Sequence, residues 1–161
     1  HEAYIAHLKE NSEEVEALCH DLMIGVTSFF RDQEQFAAAA RAIETLVAGV
    51  TGDREIRAWS PGCSTGEESY SIAILLMEAV REAGKKNPVR VFATDINARG
   101  LAAGRRGRYP AMLDEIIPRH HLERYFRFDE DGYQVSQSLR DAVVFSLHNV
   151  IHDPRFPRSI S

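Results

Sequence analysis

The stretch RAWSPGCSTGEESYSIAILLMEAV, residues 57–80, constrains the fold more than any other part of the chain. A short apolar run stops at Pro61-Gly62, a turn of small residues follows, and Glu67-Glu68 opens a long apolar helix. Strand, tight turn and helix in direct succession are the first half of a βαβ unit. "VRVFATDI", ending at Asp95-Ile96, and "AVVFSLHNV" are two further near-continuous apolar runs, and a helix from Asn97 to about Gly104 separates them. Strand, helix, strand, helix, strand predicts an α/β domain with a doubly wound parallel sheet whose strands are buried on both faces.

Upstream, "NSEEVEALCHDLM" predicts a helix with Ser12 as N-cap and one apolar stripe of Val15, Leu18, Cys19, Leu22 and Met23, ended by Gly25. Asp32 opens a second helix with Gln35 as its capping-box partner; Phe36, Ala39, Ala40, Ile43, Leu46 and Val47 form its buried face, and Gly49 closes it. Downstream, "PRHHLERYF" predicts a helical turn. "RYFRF", the turn "DEDG" and "YQV" predict a β-hairpin.

Hydrophobic residues make up 44% and charged residues 27% of the 161, which is ordinary for a globular domain. No apolar run approaches the roughly 18 residues that cross a bilayer, so membrane insertion is not expected. The net charge of −5 argues against duplex nucleic acid as a partner. Cys19 and Cys63 share no metal or redox spacing, and a reducing cytoplasm is the expected location. Charge is uneven: residues 1–24 hold six acids and one lysine, whereas residues 99–127 hold seven arginines and three acids. A local basic face of that kind is usually solvated surface, and otherwise suits an acidic partner.

In parallel α/β sheets ligands bind at the carboxyl ends of the strands, here Ser60–Gly66, Thr94–Ile96 and His148–Val150. The opening loop is no P-loop, because carboxylates follow Gly66 where a lysine would meet a phosphate. Two acids at a helix start repel a pyrophosphate and suit a cation. S-adenosylmethionine, a nucleoside with an ammonium and a sulfonium, meets that description. Asp95, at the end of the second strand, can accept hydrogen bonds from a ribose diol.

Each of these residues also has a plainer reading. Ser64-x-x-Glu67 and Thr65-x-x-Glu68 both fit a capping box, so one glutamate can be a cap; with Ser64 as N-cap, Glu68 is the one left for a ligand. Asp95 alone can be a loop cap. His120-His121 reads as surface, Phe29-Phe30 as packing, and His148-x-x-x-His152 as a poor zinc pair because it follows a strand. Arg31 is harder to set aside, since a guanidinium beside a carboxylate substrate is a natural bidentate clamp.

Taken together and in this order, "GVTSFFRD", "WSPGCSTGEESYSIAILL", "VFATDIN" and "FSLHNV" resemble the chemotaxis-receptor methyltransferases of the CheR type. The resemblance runs over essentially the whole chain. It implies a Rossmann-like S-adenosylmethionine-dependent fold with a partial doubly wound parallel sheet: residues 1–31 as the end of a helical domain and linker, and 32–161 as a partial methyltransferase domain with an antiparallel β-subdomain at about 122–142. It implies O-methylation of glutamate side chains on a methyl-accepting receptor or related signalling protein, with S-adenosylhomocysteine as product and no metal. Residue by residue, it implies Thr27, Arg31, Gly62, Glu67, Glu68, Asp95, Asn149 and Val150 as cofactor-binding, with Arg31 also the catalytic or substrate-orienting group. One acid of Glu67-Glu68 holds the methionine amine, Glu68 by the capping argument; Asp95 holds the ribose; Asn149 and Val150 flank the adenine.

Gly25 and Ser69 depart from the family pattern, which commonly has Asn and Pro there. The chain also resembles a fragment that stops before the family's later strands. Weak or absent transfer by the isolated fragment is therefore expected, as is self-association through an unpaired edge of the first strand. A module that binds the cofactor or its product without transferring methyl groups is the alternative.

Overall fold

The computed structural model describes residues 2–15, 18 and 27–153. In chain order its elements are α1 (Glu2–Glu10), α2 (Gln33–Gly49), β1 (Ile56–Pro61), α3 (Glu67–Glu82), β2 (Val89–Asp95) and α4 (Ala98–Arg106). These are followed by β3 (Arg108–Tyr109), a 3-10 turn (Ala111–Glu115), α5 (Arg119–Tyr125), β4 (Phe126–Asp129), β5 (Gly132–Val135), α6 (Gln137–Asp141) and β6 (Val143–Leu147).

The parallel sheet runs β1-β2-β6, with Ser60 opposite Ala93 and Thr94 opposite Ser146. The fold is Rossmann-like, as expected, but among the described residues the second face of the sheet is covered only in part. Ile56, Ser60, Val91, Ala93, Val143 and Phe145 are buried; of the residues between them Thr94 is buried too, while Arg57, Trp59, Phe92, Val144 and Ser146 are not. The reason is the order of the strands. Two right-handed crossovers that advance in one direction across a sheet put both helices, α3 and α4, on the same face. A doubly wound sheet needs the chain to reverse, and no described strand lies on the outer side of β1.

The predicted hairpin forms: Phe126 pairs with Val135 and Asp129 with Gly132. β3, which the sequence does not announce, adds a third strand in the order β3-β5-β4. A line of edge-to-face aromatics ties this sheet to the parallel one. Phe126 meets Phe29 at 5.5 Å, Phe29 meets Tyr109 at 4.8 Å, Tyr109 meets Tyr70 at 6.2 Å, and Tyr70 meets Phe145 at 5.6 Å. Phe29 is therefore packing, as the sequence suggests.

Three capping expectations need correction. Asn11, not Ser12, caps the helical residues 12–15: its side-chain oxygen accepts from the backbone N–H of Glu13 and Glu14 at 3.1 and 3.2 Å. Asp32 occupies the N-cap of α2 but makes no side-chain cap. Its backbone is left-handed (φ 57°, ψ 71°), whereas a side-chain cap needs an extended N-cap that turns the carboxylate back over the first turn. The N-cap of α3 is Gly66, not Ser64 or Thr65. The predicted face of α2 is buried only at Val47; Leu46 is exposed, and Phe36, Ala39, Ala40 and Ile43 are half-buried. Cys19, Leu22, Met23 and Gly25 lie outside the described residues.

Two polar clusters fasten α2 and α5 to α3 and the turn that follows it. The Lys85 ammonium donates to the carbonyls of Val47, Ala48 and Val50 at 2.6–2.9 Å, a cation closing the carbonyl end of α2. Glu78 accepts from Arg81 (2.5 Å), Arg124 (3.1 Å) and the Tyr125 hydroxyl (2.6 Å). Burial alone would raise its carboxyl pKa, but these bonds and charges outweigh it and hold it at about 2.

Two outcomes follow from this packing. Glu78 titrates in the folded state below its usual 4.5, so its stabilisation is complete above about pH 5 and is lost as pH falls toward 2. Arg81 and Arg124 are about half exposed and screened by water, so Glu78→Gln is expected to cost only about 1–2 kcal/mol at neutral pH and to flatten the acid limb of urea denaturation. At Gly104, a Cβ would lie 2.5 Å from the buried Phe145 ring. Helix propensity favours alanine by about 1 kcal/mol, while overpacking costs about 1–3 kcal/mol. Gly104→Ala is therefore expected to lower the urea midpoint; a rise would mean that the ring yields without cost.

Candidate cofactor site

The candidate site is assembled by Asp95, the last residue of β2. One carboxylate oxygen accepts from the Ser64 N–H at 2.7 Å and the other from the Asn97 N–H at 2.8 Å. Its own carbonyl accepts from the His148 N–H at 3.1 Å, and the Thr94 carbonyl accepts from Cys63 N–H at 3.0 Å. The loops after β1, β2 and β6 thus meet at one strand end, where a parallel sheet presents a ligand site. Asp95 is a loop fastener in this arrangement. A carboxylate has about four lone-pair positions, so two remain to accept from hydroxyls.

The β1–α3 loop is wound tightly. Ser64 has φ 48°, and Gly62 and Gly66 have φ 69° and 97°. A Cβ at Gly66 would strike the Phe145 ring at 2.8 Å, and one at Gly100 in α4 would strike the Ser64 carbonyl at 2.8 Å. Around Gly62 there is open space, so a ligand can approach the backbone there. Cys63 is buried beneath the loop; burial, with the Asp95 charge second, pushes its thiol up to about 12, so it is no nucleophile at neutral pH.

The two glutamates have separate surroundings, and neither takes part in a capping box. Glu67 is half-buried and accepts from the Thr65 hydroxyl at 2.6 Å; burial raises its pKa. Glu68 is exposed and accepts from the Ser60 hydroxyl at 2.9 Å. The Thr65 carbonyl accepts from the Tyr109 hydroxyl at 2.8 Å, so the β-subdomain also braces this loop.

The segment holding Thr27 and Arg31 reaches α3 through Phe30, whose N–H donates to the Ser71 hydroxyl at 3.0 Å. Ser71 in turn donates to the Glu67 carbonyl at 2.8 Å. Thr27 is half-buried and Arg31 exposed. Phe30 and Asp32, on either side of Arg31, both have positive φ. With Ser64 they are the described non-glycine residues in that region, so the backbone strain concentrates in the two candidate segments. The Phe30 ring stacks on His121 at 5.6 Å. His121 is thus half-buried rather than surface, and burial lowers its pKa.

Asn149 and Val150 stand at the carboxyl end of β6. The Asn149 side chain accepts from the N–H of Ile151 and His152 and caps a turn, while Val150 is exposed. His148 lies 3.6 Å from Asp153. Among the described residues no group of three or more His, Cys, Asp or Glu side chains could hold a metal ion, and no helix is long and apolar enough to cross a membrane.

Sequence reasoning missed Ser60, Ser69, Tyr109 and the close-approach glycines Gly100 and Gly104. Periodicity shows only that Ser60 and Ser69 are small; their hydroxyl contacts depend on how α3 lies over β1. The donor set fits S-adenosylmethionine. Glu67, Glu68 and Asp95 have neutral hydrogen-bond partners, so a cationic head and ribose hydroxyls meet acceptors, and a phosphate would meet repulsion.

Residues 25–160 match the family described as CheR methyltransferase, SAM binding domain, SAM being S-adenosylmethionine. An uncharacterized 104.1 kDa protein in the hypE 3' region of Rhodobacter capsulatus is 34% identical over 157 residues, covering 97% of this chain and 16% of that protein. A chemotaxis protein methyltransferase of Borreliella burgdorferi is 32% identical over 162 residues, covering 97% of this chain and 57% of that protein. Chemotaxis protein methyltransferase 2 of Pseudomonas aeruginosa is 34% identical over 152 residues, covering 92% and 52%. The chain therefore spans about half the length of the two named methyltransferases and a smaller share of the Rhodobacter protein.

Proposed function

We propose, for a chain that belongs to the CheR methyltransferase family, that the site at the carboxyl ends of β1, β2 and β6 binds S-adenosylmethionine and serves O-methylation of glutamate side chains on a chemotaxis receptor or related signalling protein. The observation that carries this reading is the cluster of Glu67, Glu68 and Asp95 around the loop after β1, whose hydrogen-bond partners among the described residues are neutral. The similarity to chemotaxis protein methyltransferases supports the substrate class.

When bound, S-adenosylmethionine supplies a methyl group activated by its sulfonium. Glu68, exposed and held at one oxygen, receives the methionine ammonium. Glu67 is half-buried and turned toward Thr65, which makes it the weaker candidate. Asp95 offers its remaining lone pairs to the ribose hydroxyls. Gly62 leaves the backbone open beside them, Thr27 lines the pocket, and Asn149 and Val150 border the adenine. An acceptor glutamate has a pKa of about 4.3 and is a nucleophile at neutral pH without a base. What it needs is placement in line with the methyl group, and positioning of that kind supplies several kcal/mol. Arg31 does the orienting through its planar fork; binding too tightly would blunt the nucleophile.

Calorimetry with S-adenosylmethionine and S-adenosylhomocysteine tests the binding part, and radiolabel transfer to receptor tests the reaction. Binding without transfer, by the chain and by its longer parent alike, would favour the non-catalytic module. Glu68→Gln is expected to weaken S-adenosylmethionine by about 1–3 kcal/mol, as for a charge-assisted hydrogen bond. If Glu67→Gln has that effect and Glu68→Gln has none, the two glutamates exchange roles. Arg31→Ala is expected to lower turnover far more than cofactor affinity, with Arg31→Lys a partial rescue at best. Equal losses in both would make Arg31 a pocket residue.

A further inference from the structure

Ser60 and Ser69 are two buried hydroxyls behind the exposed Glu68, at 1% and 0% exposure. The Ser69 hydroxyl lies 2.9 Å from that of Ser60, and the Ser60 hydroxyl lies 2.9 Å from a carboxylate oxygen of Glu68. The chemistry sets the direction of both bonds. An ionised carboxylate only accepts, so the single proton of Ser60 goes to Glu68, and Ser60 in turn must accept the proton of Ser69.

This arrangement is not the default for serine in a helix. Ser71, two residues on, bonds back to the Glu67 carbonyl four residues earlier, the usual outlet for such a hydroxyl. The equivalent carbonyl for Ser69 is that of Thr65, which already accepts from Tyr109. Ser69 turns toward β1 instead, where Ser60 projects from the covered face of the sheet opposite Ala93.

We propose that Ser60 and Ser69 are positioning residues: a buried relay of two hydroxyls that fixes the Glu68 carboxylate so that its other oxygen faces outward to receive a ligand ammonium. The proposal rests on the assignment of Glu68 to the cofactor amine. Without the relay, Glu68 is a long surface side chain that loses rotamer freedom on binding. With it, one oxygen is held from a rigid strand, and the ordering is complete before the ligand arrives. The relay acts only through Glu68, so its effect belongs to ligands that carry an ammonium.

The test compares S-adenosylmethionine with methylthioadenosine, which keeps the nucleoside and lacks the amino acid part, by calorimetry on the chain and its variants. Ser60→Ala is expected to weaken S-adenosylmethionine about tenfold and Ser69→Ala less, with methylthioadenosine unchanged in both. Adding Ser60→Ala to Glu68→Gln is expected to cost nothing further. Without any ligand, side-chain NMR relaxation of Glu68 is expected to report a rigid carboxylate in the wild type and a mobile one in Ser60→Ala. Equal weakening of both ligands, unchanged Glu68 relaxation, or a Ser60→Ala variant that binds normally while Glu68→Gln does not, would each overturn the relay alone. Normal S-adenosylmethionine binding by Glu68→Gln, or none by the wild type, would overturn the relay together with the assignment beneath it.

Discussion

The Asp95 carboxylate is the contact on which the arrangement of the site depends. It sits at the end of the middle strand and takes one backbone N–H from the loop after β1 and one from the loop after β2. Charge-assisted bonds to backbone donors are short and strong, and here they join segments 31 residues apart in sequence. The Ser64 backbone, strained at φ 48°, is held in place by this bond. The left-handed turn, the position of Gly66 and the start of α3 all follow from it. Glu67 and Glu68, which leave that helix start, are then held by the Thr65 and Ser60 hydroxyls.

A second constraint is space. Gly66, Gly100 and Gly104 let α3, α4 and the Phe145 ring approach within distances that no side chain permits. Phe145 is also the last member of the aromatic line that begins at Phe126 in the antiparallel sheet. Rigidity therefore passes from the small sheet, through Phe29 and Tyr109, to the loop that carries the acids. The segment bearing Arg31 joins the same line at Phe29 and is pinned to α3 by Ser71. Groups that would act on a methyl donor and on its acceptor are thereby referred to one helix.

The electrostatic character of the site follows from what surrounds the acids. Glu78, deep in the polar cluster on the same helix, meets two arginines and a tyrosine and is held at about 2. Glu67, Glu68 and Asp95 meet hydroxyls and backbone N–H groups instead. An acid already paired with a guanidinium is spent as structure, and one held by neutral donors has no cation of its own and can take one from a ligand. That contrast separates the structural acid of α3 from the candidate binding acids more sharply than position along the helix does.

Much of this was legible in the sequence because it is local. Apolar runs ending at Pro61, Asp95 and Leu147 mark the strands, the turn "DEDG" marks the hairpin, and Asn97 caps α4 through two backbone N–H groups, as its place before a helix suggests. The family resemblance, carried by short motifs in order, also belongs to the sequence alone. Tertiary structure decided what depends on partners far along the chain. The capping pattern at Ser64 and Thr65 was overridden because Asp95 takes the Ser64 N–H, 31 residues away. Both crossover helices lie on one face of the sheet because the crossovers advance in a single direction, a property of strand order that apolar content does not record. Ser60 and Ser69 became neighbours of Glu68 only when α3 lay across β1. Residue type and spacing determine which elements form, because those energies are set within a few residues. Which hydroxyl meets which carboxylate is set by the packing of elements, and that information exists only once the chain has folded.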